Sequence, residues 1–114
     1  MIITSDLIRG NTDTIILAHL LDHDSYGYEI NRTIQQKTGG MYELKEATLY
    51  TAFKRLEDAG LIRSYWGDQG SGARRKYYTI TQTGVQAYLR MQAEWKEARE
   101  IIDRLLERGV ENHA

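Results

Sequence analysis

Residues 45–62 read KEATLYTAFKRLEDAGLI, and their apolar positions repeat with the period of an amphipathic helix. The positions spaced i, i+3, i+4 and i+7 are Leu49, Ala52, Phe53 and Leu56. They predict one buried stripe along a helix over residues 46–59. Gly60 is the type of residue that ends a helix, because glycine enters the left-handed conformation without strain. The stripe needs other elements to pack against, and the rest of the chain supplies them.

Three further helices are predicted around this one. Dense apolar residues over 5–22 predict a first helix with a buried second half. Ser25 is the expected N-cap of a second helix that stops at Gly39-Gly40, and residues 41–44 then form an extended linker or a short strand. Thr81 is the expected N-cap of a final helix over about 82–108, in which Gly84 costs about 1 kcal/mol relative to alanine.

Two short segments between the 46–59 helix and the final helix have strand composition. They are residues 61–67 and 74–80, separated by the turn segment DQGSGA. The order helix, helix, helix, hairpin, helix is that of a winged helix-turn-helix. The predicted fold is therefore mainly α with a small β-hairpin. The winged helix-turn-helix domain occupies residues 1–80, and a C-terminal dimerisation helix with its tail occupies residues 81–114.

The final helix carries an apolar seam whose positions advance by three and four residues in turn. The seam consists of Tyr88, Met91, Trp95, Ala98, Ile102 and Leu105. Such a spacing is typical of helices that pair along their length. Because 114 residues build only a modest core, the seam predicts a homodimer formed through this helix.

The outward face of the 46–59 helix and the hairpin suit double-stranded DNA. Thr48 and Thr51 can touch thymine methyls and base edges, while Lys54 and Arg55 can reach guanine or phosphate. On the hairpin, the cations that follow the glycine-rich turn suit the minor groove or flanking phosphates. These cations are Arg74, Arg75 and Lys76. An ordinary amphipathic helix and a solvated basic turn are the alternatives.

Two tyrosines near the start of the second helix, Tyr26 and Tyr28, are candidate phosphate contacts. Tyr28 is the candidate that donates a hydrogen bond to phosphate. Tyr26 is assigned to the core, because it is spaced i, i+4 and i+8 with Ile30 and Ile34.

Composition and motifs exclude several functional classes. The net charge of −1 indicates no particular class of partner. Cysteine is absent, which excludes disulfides and thiol catalysis. No G-x-S-x-G, H-E-x-x-H or P-loop occurs, which predicts a protein that is no enzyme and has no cofactor. His19 and His23 have a metal-compatible spacing, but only Asp22 and Asp24 are near them in sequence. They are therefore interpreted as structural, and no metal site is predicted.

The sequence shows neither a membrane span nor a signal peptide, which predicts a cytoplasmic protein. Its longest apolar run is Ile15-Ile16-Leu17-Ala18, far shorter than a span needs.

Three segments resemble the PadR family of transcriptional regulators, over about residues 7–106. They are ATLYTAFKRLEDAGLI, SYWGD and GSGARRKYYTITQTG. The segment AEWKEAREII is similar to the short-tailed branch with the lactococcal-type multidrug-efflux regulators. The resemblance implies a homodimeric repressor on an inverted-repeat operator. It implies DNA contacts from Thr48, Thr51, Lys54, Arg55, Gly72, Arg74, Arg75 and Lys76.

The same resemblance implies an effector site at the dimer interface. Trp95 matches the tryptophan that sandwiches flat aromatic compounds there, and a pair of indole rings suits a planar hydrophobic or cationic ligand. Packing in the dimer core alone is the other interpretation of Trp95. Ala73 departs from the family, whose wing often has proline or a second glycine at that position. A winged-helix interaction module, or a protein that sequesters small molecules without specific DNA binding, is the alternative function.

Overall fold

The computed structural model describes residues 6–68 and 74–107. In chain order the elements are helices α1 (Asp6–Arg9), α2 (Thr12–Asp22), α3 (Gly27–Lys37) and α4 (Glu46–Asp58), strands β1 (Ile62–Asp68) and β2 (Arg74–Ile80), and helix α5 (Gln82–Leu106). The strands form an antiparallel hairpin. This order confirms the predicted fold, mainly α with a small β-hairpin and a long C-terminal helix.

Helix α4 holds the domain together through the stripe that its sequence predicts. Leu49, Ala52, Phe53 and Leu56 are all buried. They pack in one core with α2 and α3 residues that are themselves buried, including Ile16, Leu17, Leu20 and Ile30. The ring of Phe53 stacks on that of Tyr78 in β2, with centroids 3.9 Å apart. One face of α4 therefore contacts the other helices and the hairpin, which leaves its opposite face free.

The single helix predicted over residues 5–22 is wrong, because the chain breaks it at Gly10-Asn11. The Asn11 side chain donates to the Leu7 carbonyl at 2.9 Å, and the Thr12 hydroxyl donates to the Arg9 carbonyl at 2.7 Å. Short polar side chains compete in this way with the backbone bonds that a continuous helix needs. The break makes α1 a separate turn that lies beside α5.

Ser25 does not cap α3, which begins two residues later at Gly27. Instead Ser25 is fully buried and pairs with the free edge of β2. Its N–H donates to the Tyr78 carbonyl at 3.2 Å, and the Tyr78 N–H donates to the Ser25 carbonyl at 2.7 Å. The loop between α2 and α3 is therefore joined to the hairpin.

The segment between α3 and α4 is an extended linker without a strand. Gly39 and Gly40 end α3 with φ of 60° and 80°, as predicted. The Asn31 side chain then donates to the Leu44 carbonyl at 2.8 Å and accepts from the Leu44 N–H at 2.9 Å. One amide group thus fixes where α4 starts.

The N-terminus of α5 is built around Thr81 and Gly84. The Thr81 hydroxyl accepts a hydrogen bond from the Gly84 N–H at 3.0 Å, which confirms Thr81 as the N-cap. A Cβ added at Gly84 would lie 2.1 Å from the Leu61 carbonyl oxygen. Close packing therefore requires glycine at this position, although glycine is a poor helix former.

Beyond this junction the first half of α5 packs against the core through Tyr88 and Met91, and its far half extends away from the domain. The molecule measures 67 × 33 × 22 Å, and its radius of gyration is 17.2 Å. A compact chain of about 100 residues has a radius of gyration of about 13 Å. In the described ranges, no helix is long and apolar enough to cross a membrane.

Candidate nucleic-acid interface

The free face of α4 presents short polar side chains and one loosely held cation. Thr51 and Lys54 are exposed, and Thr48 is half-buried. The Lys54 ammonium lies 3.4 Å from the Asp58 carboxylate, and both side chains are more than half exposed. Exposed ion pairs of this kind contribute little to folding stability, so Lys54 is able to exchange Asp58 for a phosphate.

Arg55, by contrast, is engaged within the chain. Its Nε lies 3.1 Å from Oδ2 of Asp13, and a terminal nitrogen lies 2.5 Å from Oδ1. These hydrogen bonds raise the pKa of Arg55 above its ordinary value. The pair joins α4 to α2. A DNA contact by Arg55 stays a prediction, because DNA would have to displace the Asp13 carboxylate from the guanidinium.

The hairpin register places the wing cations on two faces. Arg74 and Lys76 lie on the same face of β2, and Arg75 lies on the opposite one. The Arg74 guanidinium lies 5.3 Å from the centre of the Trp66 ring, and the Lys76 ammonium lies 5.8 Å from the centre of the Tyr78 ring. Both cations are exposed. Two exposed cations therefore lie on one face of the wing.

Arg75 is held by a tyrosine that the sequence interpretation assigned to the core. Its guanidinium lies 4.5 Å from the centre of the Tyr26 ring and donates to the Tyr26 hydroxyl at 2.7 Å. Tyr26 is half-buried and also packs edge-on against Tyr77 at 5.3 Å. The core assignment of Tyr26 is wrong, because its ring faces the wing. Tyr28 is 71% exposed at the start of α3.

A second contact fastens the wing to the same loop. The Tyr65 hydroxyl donates to the Asp24 carboxylate at 2.6 Å, and this bond raises the pKa of Tyr65 to about 12. Strand alternation puts Tyr65 and Tyr77 on one face, but the residues they meet are far away in sequence. No local pattern identifies Asp24 or Tyr26 as wing contacts. Gly72, the remaining wing residue of the prediction, lies outside the described residues.

The predicted seam of α5 divides into two parts. Tyr88 and Met91 pack against the core of their own chain. Ala98, Ile102 and Leu105 are exposed. Trp95 lies between the two parts, half-buried in an apolar groove of about 360 Å³ formed with α1 and α2. Its other lining residues are Leu7, Ile8, Asn11, Thr14, Ile15, Ala18, Tyr88 and Gln92.

Comparison with known proteins agrees with this arrangement. Residues 16–90 match the model of the transcriptional regulator PadR-like family. The chain is 48% identical over 109 residues to an uncharacterized protein X of Lysinibacillus sphaericus, covering 96% of this chain and 99% of that protein. It is 31% identical over 71 residues to the negative transcriptional regulator PadR of Bacillus subtilis (strain 168), covering 62% of this chain and 39% of that protein.

A solved structure of a transcriptional regulator from Clostridium thermocellum has the same architecture. Its TM-score is 0.84 at 46% sequence identity, and the match covers 93% of this chain and 100% of that one.

Proposed function

This chain belongs to the PadR-like family of transcriptional regulators, and we propose that it is a homodimeric repressor that binds an inverted-repeat operator in double-stranded DNA. The observation that carries the proposal is the pair of exposed surfaces on α4 and the wing. Thr51 and Lys54 project from α4, and Arg74 and Lys76 project from one face of β2. The similarity to a protein named as a negative regulator supports repression.

In the proposed complex α4 lies in the major groove and the wing lies beside it. Thr48 and Thr51 read base edges, while Lys54 contacts guanine or phosphate. Arg74, Lys76 and Tyr28 contact the sugar-phosphate backbone. Arg75 approaches DNA with the wing, oriented by Tyr26. Gly72, which lies outside the described residues, is a further proposed DNA contact. Arg55 joins these contacts after it leaves Asp13.

The domain from residue 1 to residue 80 supplies these contacts, and residues 81–114 supply the dimer. Three exposed apolar residues near the end of α5 support pairing with a second copy: Ile102, 44% exposed, Leu105, 76%, and Leu106, 69%. Removing such side chains from water favours association. Pairing places two α4 helices at a spacing that must match half-sites about 34 Å apart, or a multiple of that distance.

The groove at Trp95 supports control by a planar hydrophobic or cationic compound, as in the lactococcal-type branch. An indole ring stacks well on flat aromatic molecules and attracts cations to its face. Because the groove lies where α5 leaves the domain, a bound compound would alter the angle of α5 and hence the spacing of the two α4 helices. A ligand shifts this equilibrium only as far as it prefers one arrangement. Packing of Trp95 in the dimer core alone is the competing assignment.

The test is a fluorescence-anisotropy titration with DNA from immediately upstream of the gene, at two salt concentrations. The double variant Arg74→Ala/Lys76→Ala should bind more weakly, with a salt slope reduced by up to about 0.9 for each lost phosphate contact. Arg90→Ala/Lys96→Ala removes two exposed cations of α5 and is the matched control. Equal affinity of both double variants and the unaltered protein would rule out the wing contacts.

A planar cationic dye added to the same titration tests the effector site. Its effect on DNA affinity should disappear in Trp95→Ala. Weak binding that is indifferent to DNA sequence would instead favour an interaction or sequestering module.

A further inference from the structure

Two histidines and a glutamate converge where α2 ends and α3 begins. One ligand atom each from His19, His23 and Glu29 lies within 4.8 Å of the other two. His23 Nε2 is 3.3 Å from Glu29 Oε1, and the two imidazole rings lie edge to face with centroids 5.1 Å apart. The acid comes from α3, whereas the acids near the two histidines in sequence are Asp22 and Asp24.

The second observation concerns His19 itself, which is buried and has a ring nitrogen without a partner among the described residues. The residue is only 8% exposed, and its Nε2 is buried without a hydrogen-bond partner among the residues that the structure describes. A buried polar atom without a partner is costly and uncommon in folded proteins. Burial first, and then the neighbouring His23, lower the pKa of His19. Both causes favour the neutral imidazole, which is the form that binds a metal.

Glu29 is oriented by a neighbour that is not itself part of the cluster. The Ser25 hydroxyl donates to Glu29 Oε1 at 2.5 Å, and this hydrogen bond lowers the pKa of the carboxyl group. Ser25 is fixed in turn by its backbone pairing with Tyr78. Hydrogen bonds of this kind hold the ligand of a metal site in one orientation.

We propose that His19, His23 and Glu29 form a binding site for a divalent transition metal of the zinc class. Bonds of about 2.0–2.1 Å in tetrahedral geometry place neighbouring ligand atoms roughly 3.3 Å apart. The separation of His23 from Glu29 already has this value. Imidazole with a single carboxylate suits zinc, cobalt, nickel or copper, and suits magnesium or calcium poorly.

The site would have structural consequences for the wing. Its ligands bracket the loop of residues 23–26, which contacts Tyr65 through Asp24 and Arg75 through Tyr26. A metal bound to both helices would hold this loop in one conformation. Three protein ligands also leave a fourth position for water or for an exogenous ligand. Metal binding is inferred independently of DNA binding, and failure of either leaves the other intact.

An ion pair between protonated His23 and Glu29 is the competing explanation of the geometry. That pair needs neither a metal nor the buried nitrogen of His19. Direct metal titration separates the two explanations.

The experiment uses the full chain without an affinity tag, titrated with Co²⁺ and followed by its visible absorption. One Co²⁺ per chain should bind with the intense bands of a tetrahedral site, and Zn²⁺ should displace it. Glu29→Gln and His23→Gln should each weaken binding by at least about 10-fold. Both side chains are partly exposed, so these variants should fold, which circular dichroism checks.

Two controls exclude other ligands. His113→Gln removes the remaining histidine of the chain, and Asp22→Asn removes the acid that precedes His23. Both should bind Co²⁺ like the unaltered protein. The proposal is overturned if no tetrahedral spectrum appears, if Glu29→Gln and His23→Gln bind normally, or if His113→Gln loses binding.

Discussion

At the scale of single residues, Gly84 shows how a poor helix former can be the residue that a helix requires. Propensity alone predicts that alanine would stabilise α5 by about 1 kcal/mol. The Leu61 carbonyl oxygen, 2.1 Å from any added Cβ, forbids it unless the helix moves. The Ile80 side chain, at 2.7 Å, closes the same space.

We expect Gly84→Ala to lower the free energy of unfolding by about 1–3 kcal/mol, because overpacking displaces α5 from the hairpin. Urea denaturation of the two proteins measures this difference. The control is Thr83→Ala, an exposed neighbour in the same turn, which should change stability by less than about 0.5 kcal/mol. A stabilised Gly84→Ala would mean that the junction is looser than its geometry indicates.

At the scale of elements, local sequence patterns predicted periodic features and helix termini. They did not predict the break in the first helix or the contacts between elements. The stripe of α4 was predictable because the period of a helix lies within a few residues. Gly60 and Thr81 were predictable because termini have characteristic residues. The break at Gly10-Asn11 was not, since side-chain competition with the backbone leaves no periodic signal.

Contacts between elements were the least predictable part of the candidate site. Arg55 meets Asp13 across 42 residues, and Arg75 meets Tyr26 across 49. Whether a cation on a predicted face is free or paired depends on such partners. The sequence could therefore identify the charged surfaces without showing which cations are available.

The Arg55–Asp13 pair supports a prediction about that availability. We expect Asp13→Asn to bind operator DNA more tightly, because Arg55 is released to reach phosphate. The salt slope should steepen by up to about 0.9. Anisotropy at two salt concentrations measures both effects.

Asp22→Asn is the matched control, because it removes the same charge from α2 without touching Arg55. If the slope of Asp13→Asn equals that of this control, Arg55 serves only to join α2 and α4. The lost pair should cost no more than about 1 kcal/mol of stability, because Arg55 is more than half exposed.

At the scale of the whole molecule, the extension of α5 sets the shape. Its 25 residues span about 37 Å at 1.5 Å per residue. Only its first half has partners in the core, through Ala87, Tyr88 and Met91. The domain is thus compact around α4, while the far half of α5 presents apolar side chains to water.

We expect Leu105→Glu to convert a dimer into a monomer, because a buried and unpaired carboxylate opposes association. Light scattering coupled to size exclusion should then give the 13.2 kDa of one chain in place of twice that mass. Gln86→Glu adds the same charge at an exposed position on the other side of α5 and should stay dimeric. A dimeric Leu105→Glu would place the interface elsewhere.

The exposed end of α5 also bears on how promoter occupancy depends on the concentration of this protein in the cell. Suppose that only the dimer binds an operator tightly. While most chains are monomeric, the concentration of dimer then rises with the square of the chain concentration. Promoter occupancy would then respond to a doubling of expression by up to fourfold. A short stretch of apolar helix would in this way set an abundance threshold, below which a gene under its control stays on.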